Sequence, residues 1–192
     1  MVASYNTPIR RMSPVIEERL RLVFPKKLFQ IDRAPAIMTL KEYERITRQS
    51  PFIGLAFLSI QVGAASGREM LCQYHWRLIC VLKATGRLDR RFKGDARDMG
   101  MDDIMDVAIA CLHGHSFNEL GACEVTSADS VFLESKAAEF ADEDTIMAHI
   151  NFVISSTLSA ADLRLTDPED FKGLNVSWLP NREKGETNAQ KA

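Results

Sequence analysis

Cys72 and His75 stand three residues apart in the segment LCQYHWRLICVL, a spacing with which a thiolate and an imidazole can share a zinc ion. His113 and His115 flank a glycine and offer a second pair of ligands. His149 can act as a general base and can neighbour His75 if their two segments pair as strands, but on the more polar side of its strand it reads first as a surface or interface histidine. Asp102, Asp103 and Asp106 crowd one short stretch, and Glu139, Asp142, Glu143 and Asp144 crowd another, with oxygens suited to a hard cation. Arg87, Arg90, Arg91, Lys93 and Arg97 form a basic cluster of the kind that grips phosphates.

Most of this chemistry weakens once local structure is imposed. LCQYHWRLICVL alternates, with Cys72, Tyr74, Trp76, Leu78, Cys80 and Leu82 on one side and His75 and Arg77 on the other. In a strand an odd offset puts Cys72 and His75 on opposite faces, where they cannot share a metal. Cys72 and Cys80 do share a face, but eight residues separate them by roughly 26 Å. Both cysteines read as core residues. His113 and His115 read as the C-terminal end of a helix, where the dipole favours positive charge, and the three aspartates read as its N-terminal end. The acidic stretch lacks the ligand spacing and glycine of an EF-hand. Asp89, Asp95 and Asp98 dilute the basic cluster. GAASGR at 63–68 lacks the lysine and spacing of a phosphate loop.

Composition narrows the field further. The chain has 192 residues, 46% of them hydrophobic, with a formal net charge of −2. This suits one domain with a substantial core and excludes a strongly basic nucleic-acid binder on overall charge. The first residues, MVASYNTPIRRMSP, lack the apolar stretch of a signal peptide, and no apolar run is long enough for a transmembrane helix. The expectation is a protein made in the cytoplasm, with four reduced cysteines and no membrane association.

The periodicity predicts a helix over 13–24, with Ser13 as cap, Pro14 in the first turn and Ile16, Leu20, Val23 and Phe24 inward. A short strand follows within 28–33. Thr39 and Glu42 have capping-box spacing and predict a helix over 40–48, with Tyr43 and Ile46 inward. Phe52–Val62 is apolar on both alternating sets, which predicts a strand covered on both faces in its first half. A loop at 63–68 leads into the LCQYHWRLICVL strand. Residues 84–100 read as a long exposed loop, and 102–113 as a helix with Ile104, Met105, Ala108, Ile109 and Leu112 inward. Two strand pieces at 122–126 and 131–134 are joined by a bend. A last strand spans 145–158, with Ile146, Ala148, Ile150, Phe152, Ile154 and Leu158 inward.

The fold class is therefore α+β: a mainly antiparallel sheet with helices packed on one side. Residues 1–160 form the domain, and 161–192 form an extended C-terminal arm and polar tail. In that arm Leu174, Val176 and Trp178 alternate and are candidate interface residues.

Four segments carry a resemblance to a known family. The leading helix SPVIEERLRLVF, the strand CQYHWRLICVLKA, the helix DDIMDVAIACLHG and the closing strand IMAHINFVISSTL occur in an order that resembles the tail terminator, or tail completion, proteins of long-tailed bacteriophages. They cover most of residues 13–158, as a pattern of elements without a catalytic signature. The resemblance implies a non-enzymatic virion protein without cofactor, which assembles as a homohexameric ring at the head-proximal end of the tail. Such a ring caps the tail tube protein, stops its polymerisation and joins it to the head–tail connector protein. The basic cluster would then face the lumen and contact DNA without sequence preference. Two alternatives stay open: another neck or head–tail connector subunit, or a small metal-dependent enzyme in which His75, His149 and the acidic residues converge in a pocket or His113 and His115 bind a metal.

Overall fold

In the computed structural model, residues 7–67, 69–84, 88–96, 98–131, 145–159 and 162 are described. The chain runs through α1 (Pro8–Arg21), β1 (Gln30–Arg33), α2 (Leu40–Arg48), β2 (Phe52–Ser66), β3 (Glu69–Lys83), α3 (Leu88–Lys93) and α4 (Met101–Leu112). A 3-10 turn (Asn118–Leu120), β4 (Ala122–Val131) and β5 (Thr145–Ser159) complete it. The α+β class stands. The five strands form one mixed sheet in the order β1-β2-β3-β5-β4, in which β1 runs parallel to β2 and every other pair is antiparallel.

β3 is the centre of the sheet because its alternating sequence has a use for both faces. It pairs with β5 along its whole length, from Glu69↔Ser159 to Lys83↔Thr145. Cys72, Tyr74, Trp76, Leu78, Cys80 and Leu82 are all buried on the face that carries α1 and α4. Ala148, Ile150, Phe152 and Ile154 continue that layer on β5. Burial of this many apolar side chains is the main stabilising term of the fold.

The two long helices share this face. α2 lies on the opposite one, where Tyr43 and Ile46 pack with Phe52, Ala56, Ile79, Val81 and Met147. Gly54 lets the layer close up: a Cβ there would stand 2.8 Å from that of Ala34. α2 begins as its sequence predicts, with Thr39 Oγ1 accepting the Glu42 N–H at 3.3 Å. This second layer covers one end of the sheet. The first half of β2 is therefore buried on both faces and the second half is exposed.

Several boundaries differ from the sequence expectation. α1 starts at Pro8 behind Thr7, and Pro14 lies inside it. Pro8 suits the first helical position as well as Pro14 does. The earlier start brings Met12 into one buried stripe with Ile16, Leu20 and Phe24, and that packing outweighs the one hydrogen bond Pro14 cannot donate. The helix ends at Arg21; beyond it Phe24 stays in the buried stripe, its N–H bonded to the Leu20 carbonyl at 2.8 Å, whereas Val23 is exposed. β2 runs on to Ser66 with the turn at Gly67 (φ +60°), where a longer loop is expected from 63. The 84–100 segment is not all loop: α3 forms within it, and Phe92 packs against the core. On α4, Met101 and Cys111 are buried, whereas Met105 and Ile109 are half-buried. β4 is one strand over 122–131 with a bulge between Val125 and Ser127, and residues 132–134 of the expected second piece lie outside the described residues.

No helix among the described residues is long and apolar enough to cross a membrane.

Candidate interaction surface

Among the described residues, most of the outer edge of β2 has no strand beside it. β1 covers only Phe52–Leu55 of the fifteen-residue β2, with one further bond from the Ala34 N–H to the Leu55 carbonyl. From Phe57 to Ser66 the outer side of β2 has no strand partner among the described residues. These ten residues, FLSIQVGAAS, include no charge and no proline, the two devices that most often keep a strand edge from pairing. Bulges at Leu58 and at Gly63–Ala64 bracket a regular stretch, Ser59–Val62. Ile60 and Val62 point to the α1/α4 face beyond the helices and are 37% and 57% exposed. Leu71, 51% exposed, stands on the other face of the same hairpin.

The opposite edge, β4, is also ten residues long and also carries a bulge, at Thr126, but it is polar and bears two charges, Glu124 and Asp129. The side chains behind it are tied together across three strands. Arg77 Nε donates to Asn151 Oδ1 at 2.8 Å, Asn151 Nδ2 donates to Ser127 Oγ at 2.8 Å, and Ser127 Oγ donates to Asp129 Oδ2 at 3.2 Å. His149 lies opposite Asp129 and Ile79 in the register. Burial holds its imidazole below the ordinary histidine pKa, the Arg77 charge adds to this, and Asp129 opposes it.

The residues singled out for chemistry are dispersed. Cys72 is buried in the core, and His75 sits half-buried on the opposite face against Val153. His149 is opposite Ile79, four residues along β3 from His75, or about 13 Å. The two histidines therefore lie on paired strands but do not meet. His113 Nδ1 accepts the Val125 N–H at 3.2 Å, and the His115 ring stacks edge-on against Phe117 at 4.8 Å. Asp103 accepts the Gly100 N–H at 3.4 Å at the start of α4, and Asp102 and Asp106 are exposed. Glu139, Asp142, Glu143 and Asp144 lie outside the described residues.

Of the basic cluster, Arg90, Arg91 and Lys93 ride on α3, while Arg87 and Arg97 lie outside the described residues. Arg90 is committed to an ion pair with Asp95 at 2.5 Å. A cleft of about 610 Å³ has Leu28, Phe29, Leu82, Met99, Arg90 and Asp98 among its lining residues. Leu174, Val176 and Trp178 also lie outside the described residues. Where the chain leaves β5, Asp162 receives the Ser159 N–H at 2.7 Å and an Arg11 guanidinium N–H at 3.3 Å, which ties the exit point to α1.

Sequence reasoning missed the open edge because it assigned strands one at a time, and the strand that lies beside β2, with the point where it stops, is set by pairing between distant segments. It also missed the Arg33 guanidinium, which packs on the Trp76 ring across the sheet and has no apolar pattern of its own. No protein-family model matches the chain, and no curated protein sequence matches it either.

Proposed function

We propose that this chain is a structural subunit of the tail-terminator kind, which assembles as a hexameric ring on a phage tail tube and joins that tube to the head connector. The observation that carries the reading is the uncharged edge of β2, without a strand partner among the described residues and with Ile60 and Val62 standing exposed on it. A monomer gains nothing from such an edge, since it exposes unpaired backbone groups and apolar surface together. A subunit that must dock with copies of itself does gain from it. The rest of the molecule suits a rigid subunit: β3 and β5 pair over fifteen residues each, and both faces at one end of β2 and β3 are packed.

In this reading the arm beyond β5 reaches a neighbouring subunit, with Trp178 as its main anchor. Arg91 and Lys93, together with Arg87 and Arg97, face the lumen, where DNA passes. Arg90 lies beside them on α3, in an ion pair with Asp95.

Electron microscopy of the purified protein, and of particles made without it, tests the proposal. A closed six-fold ring and abnormally long tails in its absence are expected. Tails of normal length that carry no head would point instead to a connector subunit of the neck, and a chain that forms no ring on tubes would overturn the reading.

A further inference from the structure

We propose that residues 174–178 of one copy add as a strand to Ser59–Val62 of β2 in the next copy, occupying the place in the sheet that β1 leaves empty. The inference rests on the ring reading above and names its acceptor site.

Three observations converge on it. First, the vacancy has a defined size. β1 stops opposite Leu55, and the regular part of the remaining edge is the four residues between the two bulges, which suits a short strand rather than a whole sheet. Second, the side-chain patterns match. Leu174, Val176 and Trp178 alternate with Asn175 and Ser177, so a strand there presents one apolar and one polar face. Ile60 and Val62 supply the matching apolar row on the α1/α4 face, and at its near end Phe57 packs edge-on against Trp76 with ring centroids 5.3 Å apart. Strand addition of this kind draws affinity from main-chain hydrogen bonds and specificity from alternate side chains.

Third, the arm leaves from the right place. Ser159 is opposite Glu69, so β5 ends beside the β2–β3 hairpin, and Asp162 is held there by Arg11. The eleven residues 163–173 span up to about 39 Å when extended, enough to reach an adjacent subunit. Donor and acceptor are different surfaces, so the contact is head-to-tail and repeats around a ring until it closes. Docking on the chain's own edge would fill the acceptor without joining anything.

The test places the photo-crosslinking residue p-benzoylphenylalanine at position 178 of the full chain. Isotopically heavy and light copies are mixed before assembly, and the crosslinks are mapped by mass spectrometry in the isolated ring or on tails. Heavy-to-light crosslinks into residues 57–66 are expected. Crosslinks into 57–66 within single chains only would overturn the exchange. Heavy-to-light crosslinks elsewhere would overturn the acceptor assignment and leave the ring reading standing. Absence of any ring would overturn that reading itself. Val62→Lys supplies the second arm: a buried ammonium at the edge should cut the intersubunit yield at least about tenfold, with an unchanged circular dichroism spectrum, and an undiminished yield would count against the site.

Discussion

The Arg33 guanidinium lies over the indole of Trp76, 4.7 Å from the ring centroid. Arg33 is the last residue of β1, and Trp76 is fully buried at the middle of β3. The arrangement shows how the fold seals its core at the point where one strand runs out. Phe57 closes on the same indole from the side of β2. Burial lowers the Arg33 pKa, yet a guanidinium stays charged, so the contact is a cation against an aromatic face.

Replacing Arg33 by alanine should therefore destabilise the protein by about 0.5–2 kcal/mol and expose the indole. Urea denaturation monitored by tryptophan fluorescence reads both effects. Arg33→Lys should recover only part of the loss, because ammonium lacks the flat stacking surface. Equal stability of the alanine variant and the parent would remove the contact from the list of stabilising features.

Gly121 should not tolerate a side chain. Its φ is +100°, and a Cβ there would stand closer to the Ser155 carbonyl oxygen of β5 than any van der Waals contact allows. Gly121→Ala combines backbone strain with that clash, for an expected loss of at least about 2 kcal/mol. Gly67→Ala also sits at positive φ but meets nothing nearby, so its cost should be smaller, about 1 kcal/mol. A reversed order of melting temperatures for the two variants would contradict this.

The four thiols should be inert while the chain is folded. Cys72, Cys80, Cys111 and Cys123 are all buried, and burial pushes Cys80 and Cys123 up to about 12. Only the thiolate reacts. A colorimetric thiol reagent at pH 8 should label none of them in native protein and all four after denaturation. Fast labelling of Cys72 in native protein would show that the strand face assigned to the core opens readily.

His149 should give the stability a pH dependence of defined sign. Its folded pKa lies below the unfolded value of about 6.5. The unfolded chain therefore takes up this proton first as pH falls. Stability should hold above about pH 6.5 and decline as pH drops from there through the folded pKa. His149→Gln should flatten that decline. Arg77→Ala should raise the His149 pKa in an NMR titration, since it removes a neighbouring positive charge, and a shift in the opposite direction would show that the Arg77 charge does not depress it.

The amino-acid sequence by itself determined the local units and which face of each turns inward. The two-residue period of LCQYHWRLICVL assigned six side chains of β3 to the core, and all six are buried. Thr39 and Glu42 marked the start of α2, because a cap is a contact between residues three apart. The α+β class followed from the order of such units. Tertiary structure alone decided how far each unit extends and what it leaves uncovered. Met12 lengthened α1 because the sheet beneath offered it a buried place. Phe92 became part of a helix because the core end needed a cover. Above all, the mismatch between β1 and β2, and the register that keeps His75 and His149 about 13 Å apart, arise from pairing between distant segments. A periodicity reports on neighbours along the chain, and it carries no information about which strand lies alongside or where that strand stops.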